Sequence, residues 1–329
     1  MWIGILLSVI LGVTPMVVYA TLLTLADRYE KEPPLLMAGV FLWGAIVAAG
    51  SALIINTLFG VGLIFATGSE TAASIGTAVF VAPFVEETVK GLAVVGVFLY
   101  FYREFDSLLD GVIYGALVCF GFAAAENVNY IFTGFIDFGF GGLLLNTFVR
   151  VFLIAFLHAS LTALTGIGFA VARLSRGWPR IVAPLLGYGA AIGGHAFHNA
   201  LGSFGSIELC LLGSVLDWIG FAGMLVFILV LIWREGRIMR EHLREEVALG
   251  TLSSAQFIAA CSLTGQFLAR WGALAGGRFQ KTGQFYDRCG ELAFKKYQLA
   301  RVGDEPGTQE AIGRLREQMA ALGPAADSA

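Results

Sequence analysis

Seven apolar stretches, near residues 1–26, 35–66, 72–101, 108–133, 143–172, 181–203 and 207–233, fill most of the first 233 residues of this 329-residue chain. At 1.5 Å per residue each is long enough to cross the ~30 Å of hydrocarbon in a bilayer. Hydrocarbon offers the backbone no hydrogen-bond partners, so segments of this kind must satisfy themselves as helices. Composition agrees: 57% of residues are hydrophobic, only 14% are charged and the mean hydropathy is +0.77, against roughly 25% charged residues in an ordinary soluble domain. The expected fold is all-α: a polytopic membrane protein of about seven transmembrane helices over residues 1–233, followed by a small cytoplasmic helical tail over 234–329.

The first span has no basic n-region and no small-residue cleavage site, so it is expected to remain as an anchor. Basic residues follow every odd-numbered span: Arg28 and Lys31, Arg103, Arg173 with Arg176 and Arg180, and Arg234, Arg237, Arg240 and Arg244. The intervening loops, near 67–71, 134–142 and 203–206, carry none. The positive-inside rule therefore places the N-terminus outside and the C-terminus in the cytoplasm, in a membrane expected to be bacterial. Thirteen of the 21 basic residues lie at or beyond Arg234, among eleven acidic ones, and without a basic run interleaved with aromatics no nucleic-acid partner is implied. The tail composition favours helices, with Ser253 as N-cap and Gln256 three residues on, breaks at Gly276-Gly277 and around Gly303–Gly307, and a frayed last dozen residues. Cys119, Cys210, Cys261 and Cys289 show no metal-ligand spacing and read as packing residues.

Polar groups inside such spans are costly and usually mark function. Glu86 and Lys90 share a helix face, and Glu87 stands about 100° away. Two adjacent carboxylates in a low-dielectric setting cannot both ionise cheaply, which poises one to take a proton from water; the plainer alternative is a self-neutralising Glu-Lys pair between packed helices. Glu126 and Asn127 begin a polar strip that could equally be a solvated helix end. His158 shares a stripe with Thr162 and Thr165, where a lone histidine can be simple packing. His195, His198 and Asn199 lie on one face and could hold a metal, stabilise an oxyanion or position water. His242, between Arg240 and Arg244, reads as a solvated face. The chain has no His-Glu-x-x-His helix, no Gly-x-Ser-x-Gly elbow, no P-loop and no dinucleotide fingerprint.

In order along the chain stand Asp27-Arg-Tyr-Glu-Lys-Glu-Pro33-Pro-Leu-Leu36, Glu86-Glu-Thr-Val-Lys90, Phe105-Asp-Ser-Leu-Leu-Asp110-Gly-Val-Ile-Tyr-Gly115, Gly121-Phe-Ala-Ala-Ala-Glu126-Asn-Val-Asn-Tyr130, His158-Ala-Ser-Leu-Thr162-Ala-Leu-Thr-Gly166 and His195-Ala-Phe-His198-Asn199. With these six motifs, over roughly residues 20–202, the chain resembles the PrsW family of intramembrane proteases, related to the CAAX prenyl-protease and bacteriocin-processing group. The resemblance implies a peptidase that cleaves a membrane-anchored protein within the lipid bilayer. It places Glu86 and Glu87 at the family's catalytic carboxylates and puts Glu126, His158 and His195 in the same site. His195 and Asn199 match the related group's His-x-x-x-Asn pair, an oxyanion-stabilising element; Phe122-x-x-x-Glu126 departs from that group's Phe-x-x-x-His. The wider family has been viewed both as zinc metalloproteases and as metal-free glutamate enzymes, so Glu126, His158 and His195 are also the expected ligands if zinc is used.

The mechanism expected is a water activated by Glu86, with Glu87 and Lys90 tuning its charge. Glu126, with Asn127 beside it, and His158 would orient the water or bind metal, and His195 and Asn199 would meet the oxyanion. The rival class is an ion- or proton-coupled transporter or channel, since Glu/His/Lys chains also make proton relays, but it calls for broken helices and internal repeats. A non-catalytic membrane sensor or scaffold is a third reading, against which the intact Glu86, Glu87, His158 and His195 argue.

Overall fold

The computed structural model of the protein describes residues 1–204 and 206–326. It is 87% helix, with no strand among the described residues. The helices are α1 (Trp2–Thr24), α2 (Pro34–Leu42), α3 (Ala49–Thr67), α4 (Glu70–Gly76), α5 (Ala82–Tyr100), α6 (Leu108–Thr147), α7 (Ala155–Arg173), α8 (Pro179–Ser203), α9 (Ile207–Ala248), α10 (Ser254–Ala260), α11 (Leu263–Gly272), α12 (Phe279–Val302) and α13 (Thr308–Ala326). Short π-helical segments, Trp43–Ala48, Thr77–Val81 and Phe148–Leu153, join α2 to α3, α4 to α5 and α6 to α7. A π turn adds a residue to the helical circuit and re-aims every side chain beyond it.

Four helical segments are long and apolar enough to cross a membrane: Trp2–Thr24, Pro34–Thr67, Leu108–Arg173 and Ile207–Ala248. α5 stands outside this set, since Glu86, Glu87 and Lys90 all fall within its 19 residues. A loop expected over 134–142 is instead helix almost throughout. Gly139, at φ 62° and ψ −146°, reverses the chain, and a Cβ on Gly142 would strike the Gly134 carbonyl across the turn. The reason is local: only glycine takes that backbone conformation at low cost, and the facing glycines let the two arms close into a hairpin.

The chain divides into two compact units. One comprises Met1–Thr24, Pro33–Arg173 and Gly177–Phe227, and its surface is apolar: Leu53, Ile54, Leu58, Phe65, Phe80 and Phe84 are exposed while Glu86, Glu87, Lys90, Asn127 and Arg150 are buried. That inversion suits lipid outside and a polar centre inside. α6 begins at a capping box, in which Ser107 Oγ accepts from the backbone N–H of Leu109 and Asp110, and Asp110 Oδ2 accepts from those of Asp106 and Ser107 at 2.8 and 2.7 Å. The Asp-Ser-Leu-Leu-Asp motif thus starts the helix. Further along, Gly111 meets Gly166 so closely that a Cβ on either would overlap the other's carbonyl, which brings α7 and Thr162 against α6.

The other unit comprises Leu25–Glu32, Leu174–Arg176 and Ile228–Ala329. Its core holds Tyr29, Met239, Leu243, Phe285, Cys289, Leu292, Phe294, Leu315 and Met319. Glu246, fully buried, accepts from Lys296 at 2.8 Å and from Arg316 at 2.7 and 3.0 Å. Ser253 and Gln256 form the expected capping box of α10, and the glycine breaks separate α11, α12 and α13. The C-terminal fraying does not occur as far as Ala326, where α13 ends; residues 327–329 of that expectation lie outside the described residues. Cys119, Cys261 and Cys289 are buried, whereas Cys210 is exposed.

Candidate active site

Glu87 is the hub. Its side chain is wholly buried, and both oxygens are taken: Oε1 by Lys90 Nζ at 2.5 Å and by His195 Nδ1 at 3.0 Å, Oε2 by the Thr162 hydroxyl at 2.8 Å. Three helices, α5, α7 and α8, meet on this one carboxylate. Lys90, also wholly buried, lies over the Phe122 ring at 4.6 Å, so its charge is met by an anion on one side and a π face on the other.

Glu86, the next residue, is engaged quite differently. Its Oε1 accepts from Asn56 Nδ2 at 3.3 Å. Its Oε2 is buried without a hydrogen-bond partner among the described residues and stands 3.9 Å from His195 Nε2. His195 therefore bridges the two glutamates, one through each ring nitrogen. If Nδ1 carries the proton donated to Glu87, Nε2 presents a lone pair toward Glu86.

His158 is buried, with Nδ1 unpartnered among the described residues, and its ring stands edge-on to His195 at 4.8 Å and to His198 at 5.9 Å. Glu126 and Asn127 gather instead around Arg150, a residue the sequence reading did not single out. Arg150 donates to Glu126 Oε2 and, from Nε, to Asn127 Oδ1 at 3.1 Å, and its guanidinium lies 4.3 Å from the Tyr130 ring centre. The hairpin about Gly139 makes that pairing, since Arg150 sits on the π segment of the returning arm. Glu126 and Arg150 are among the charged neighbours of Glu86. Asn199 turns elsewhere: its Nδ2 donates to the Ala78 carbonyl at 2.8 Å, pinning the π segment that leads into α5. His198 meets Asp217 of α9, likewise unforeseen, with Nδ1 2.9 Å from Oδ2. Asn56, Arg150 and Asp217 are thus the additions the structure makes, and Thr162, placed by the sequence on the His158 stripe, acquires Glu87 as its partner; for Arg150 and Asp217 a lone ionisable residue in an apolar stretch was the available signal.

A cluster of buried carboxylates, imidazoles and a lysine, enclosed by helices with apolar outer faces, defines a class of integral membrane protein with a polar centre. Residues 32–233 match the model of the "PrsW family intramembrane metalloprotease", and the chain belongs to that family. It is 29% identical over 164 residues to the Protease PrsW of Geobacillus kaustophilus, covering 50% of this chain and 66% of that one. The Protease PrsW of Bacillus subtilis is 25% identical over 52% of this chain and 71% of its own, and that of Clostridioides difficile 32% over 38% and 50%. No solved structure matches the chain.

The family description raises the question of a metal. His158, His195 and a glutamate are chemically suited to zinc, and the unpartnered Glu86 Oε2 and His158 Nδ1 are the kind of atoms a cation would satisfy. The placement does not match: among the described residues no three His, Cys, Asp or Glu side chains converge as a ligand set, and the carboxylate of Glu126, expected as a ligand, is held by Arg150. The residues as arranged do not form a metal cage.

Proposed function

We propose that this chain is an intramembrane peptidase that hydrolyses a peptide bond of a membrane-anchored protein, with Glu86 as general base. The observation that carries this reading is the unlike pair: both oxygens of Glu87 are met by fixed donors, whereas Glu86 keeps one buried oxygen open beside His195 Nε2. A carboxylate committed to Lys90, Thr162 and His195 is a poor base; one with an unspent oxygen in a low-dielectric setting is a good one.

In the proposed reaction a water seated between Glu86 Oε2 and His195 Nε2 gives its proton to Glu86 as its oxygen bonds to the scissile carbonyl carbon. This leaves a tetrahedral oxyanion on the carbonyl oxygen. Glu86 then passes the proton to the departing amide nitrogen as the C–N bond breaks, leaving a carboxylic acid and an amine. Glu87 and Lys90 fix His195, and Arg150 fixes Glu126 and Asn127. Seven spans, an outside N-terminus, a catalytic part over 1–233 and a cytoplasmic part over 234–329 complete the reading, supported by the alternation of basic loops.

The test is hydrolysis itself. The purified full chain in nanodiscs is incubated with a single-span model substrate in ¹⁸O-labelled water, and the products are weighed by mass spectrometry. One ¹⁸O in the new carboxylate is expected; an intact substrate across a panel of single-span sequences, with the protein folded, would count against the reading.

A further inference from the structure

Asp217 is a carboxylate in the middle of an apolar helix, 5% exposed, on a segment long and apolar enough to cross a membrane. Nothing in the reaction above uses it. Burying such a group costs several kcal/mol unless it is engaged, and the group that engages it is His198, with Nδ1 2.9 Å from Oδ2. The contact is close but off the angle of a full hydrogen bond, both atoms lacking a geometrically satisfied partner among the described residues. The His198 ring is in turn edge-on to His158 at 5.9 Å, and His158 to His195 at 4.8 Å.

We propose that Asp217 is a positioning residue of the site, which holds the His198 ring so that His198 in turn fixes His158 beside His195. This inference rests on the peptidase reading only for its effect on rate. A packing role for Asp217 is the poorer explanation, because an apolar side chain of similar volume would fill the space without burying a charge. A carboxylate against one imidazole nitrogen selects which nitrogen bears the proton and the angle of the ring. Asp217 lies on α9, beyond the last of the six sequence motifs, and so would bring the final span into the site.

The experiment uses the full chain in nanodiscs with ¹⁵N-labelled histidine. The chain has four histidines, and His242, in the other compact unit, serves as the internal reference. Asp217→Asn, nearly isosteric, is expected to move the ring resonances of His198 and then His158 while leaving His242 in place. On a cleavable substrate it should lower kcat by up to ~100-fold with KM little changed. Asp217→Glu should recover part of the loss, and adding Asp217→Asn to His198→Phe should lower kcat no further. Unmoved His198 resonances, or losses from the two substitutions that multiply, would overturn the inference. Should the wild type cleave nothing, the peptidase reading falls, and the resonances alone decide whether Asp217 holds His198. Should Asp217→Asn not fold, Asp217→Glu carries the same resonance comparison.

Discussion

Arg150 brings a guanidinium into the interior of the membrane unit, where it is answered by Glu126, Asn127 and the Tyr130 ring. Removing one member of such a buried set leaves an uncompensated charge, typically at a cost of about 3–5 kcal/mol. Arg150→Met is therefore expected to lower the melting temperature sharply, and Arg150→Met with Glu126→Leu to recover much of it; equal melting in the single variant and the wild type would show that the pair is idle. The two kinds of residue in this site were unequally legible in the sequence. Glu86, Glu87, Lys90, His158 and His195 announced themselves as polar groups at helical spacing. Arg150 and Asp217 are single charges whose partners lie 24 and 19 residues away, at Glu126 and His198, and spacing cannot reveal a partner supplied by a chain reversal. The choice of Glu86 over Glu87 as base had no geometric support in the sequence, since their difference comes largely from Asn56, Thr162 and His195 on other helices.

At the scale of elements, the site is set by helix ends and close approaches. The π segments Thr77–Val81 and Phe148–Leu153 carry the Ala78 carbonyl that holds Asn199 and the Arg150 side chain. No residue pattern marks a π turn in advance, so the aim of these side chains was beyond sequence reasoning, whereas α1, α3 and the helices of the tail followed from run length, caps and glycine breaks. The meeting of Gly111 with Gly166 is the tightest element of the α6–α7 contact that delivers Thr162 to Glu87. A methyl group there forces the helices apart, at about 1–3 kcal/mol. Gly166→Ala is thus expected to lower the melting temperature by several degrees and to reduce cleavage. A variant that melts like the wild type would mean that this contact is looser than described.

For the whole molecule, apolar exteriors and polar interiors argue for a bilayer around the first unit, and loop charge argues for direction. Reporter fusions after Arg176 and after Ser206 are expected to lie on opposite sides of the membrane; the same side for both would break the seven-span arrangement. In the second unit the thiols should be inert. Burial pushes Cys261 up to about 11 and raises Cys289 further still, so little thiolate forms near neutral pH. Maleimide should leave both unlabelled until the protein is denatured, and rapid labelling under native conditions would show that the unit opens.

In the proposed reaction one glutamate of the adjacent pair takes the proton while the other builds the site. Glu86→Gln keeps the shape and can still accept from Asn56, but it cannot receive the proton of water. Steady-state cleavage of a single-span substrate by the folded variant in nanodiscs should therefore fall by ~10²- to 10⁴-fold with the melting temperature close to that of the wild type. Undiminished cleavage by folded Glu86→Gln would contradict the account and pass the role of base to another group.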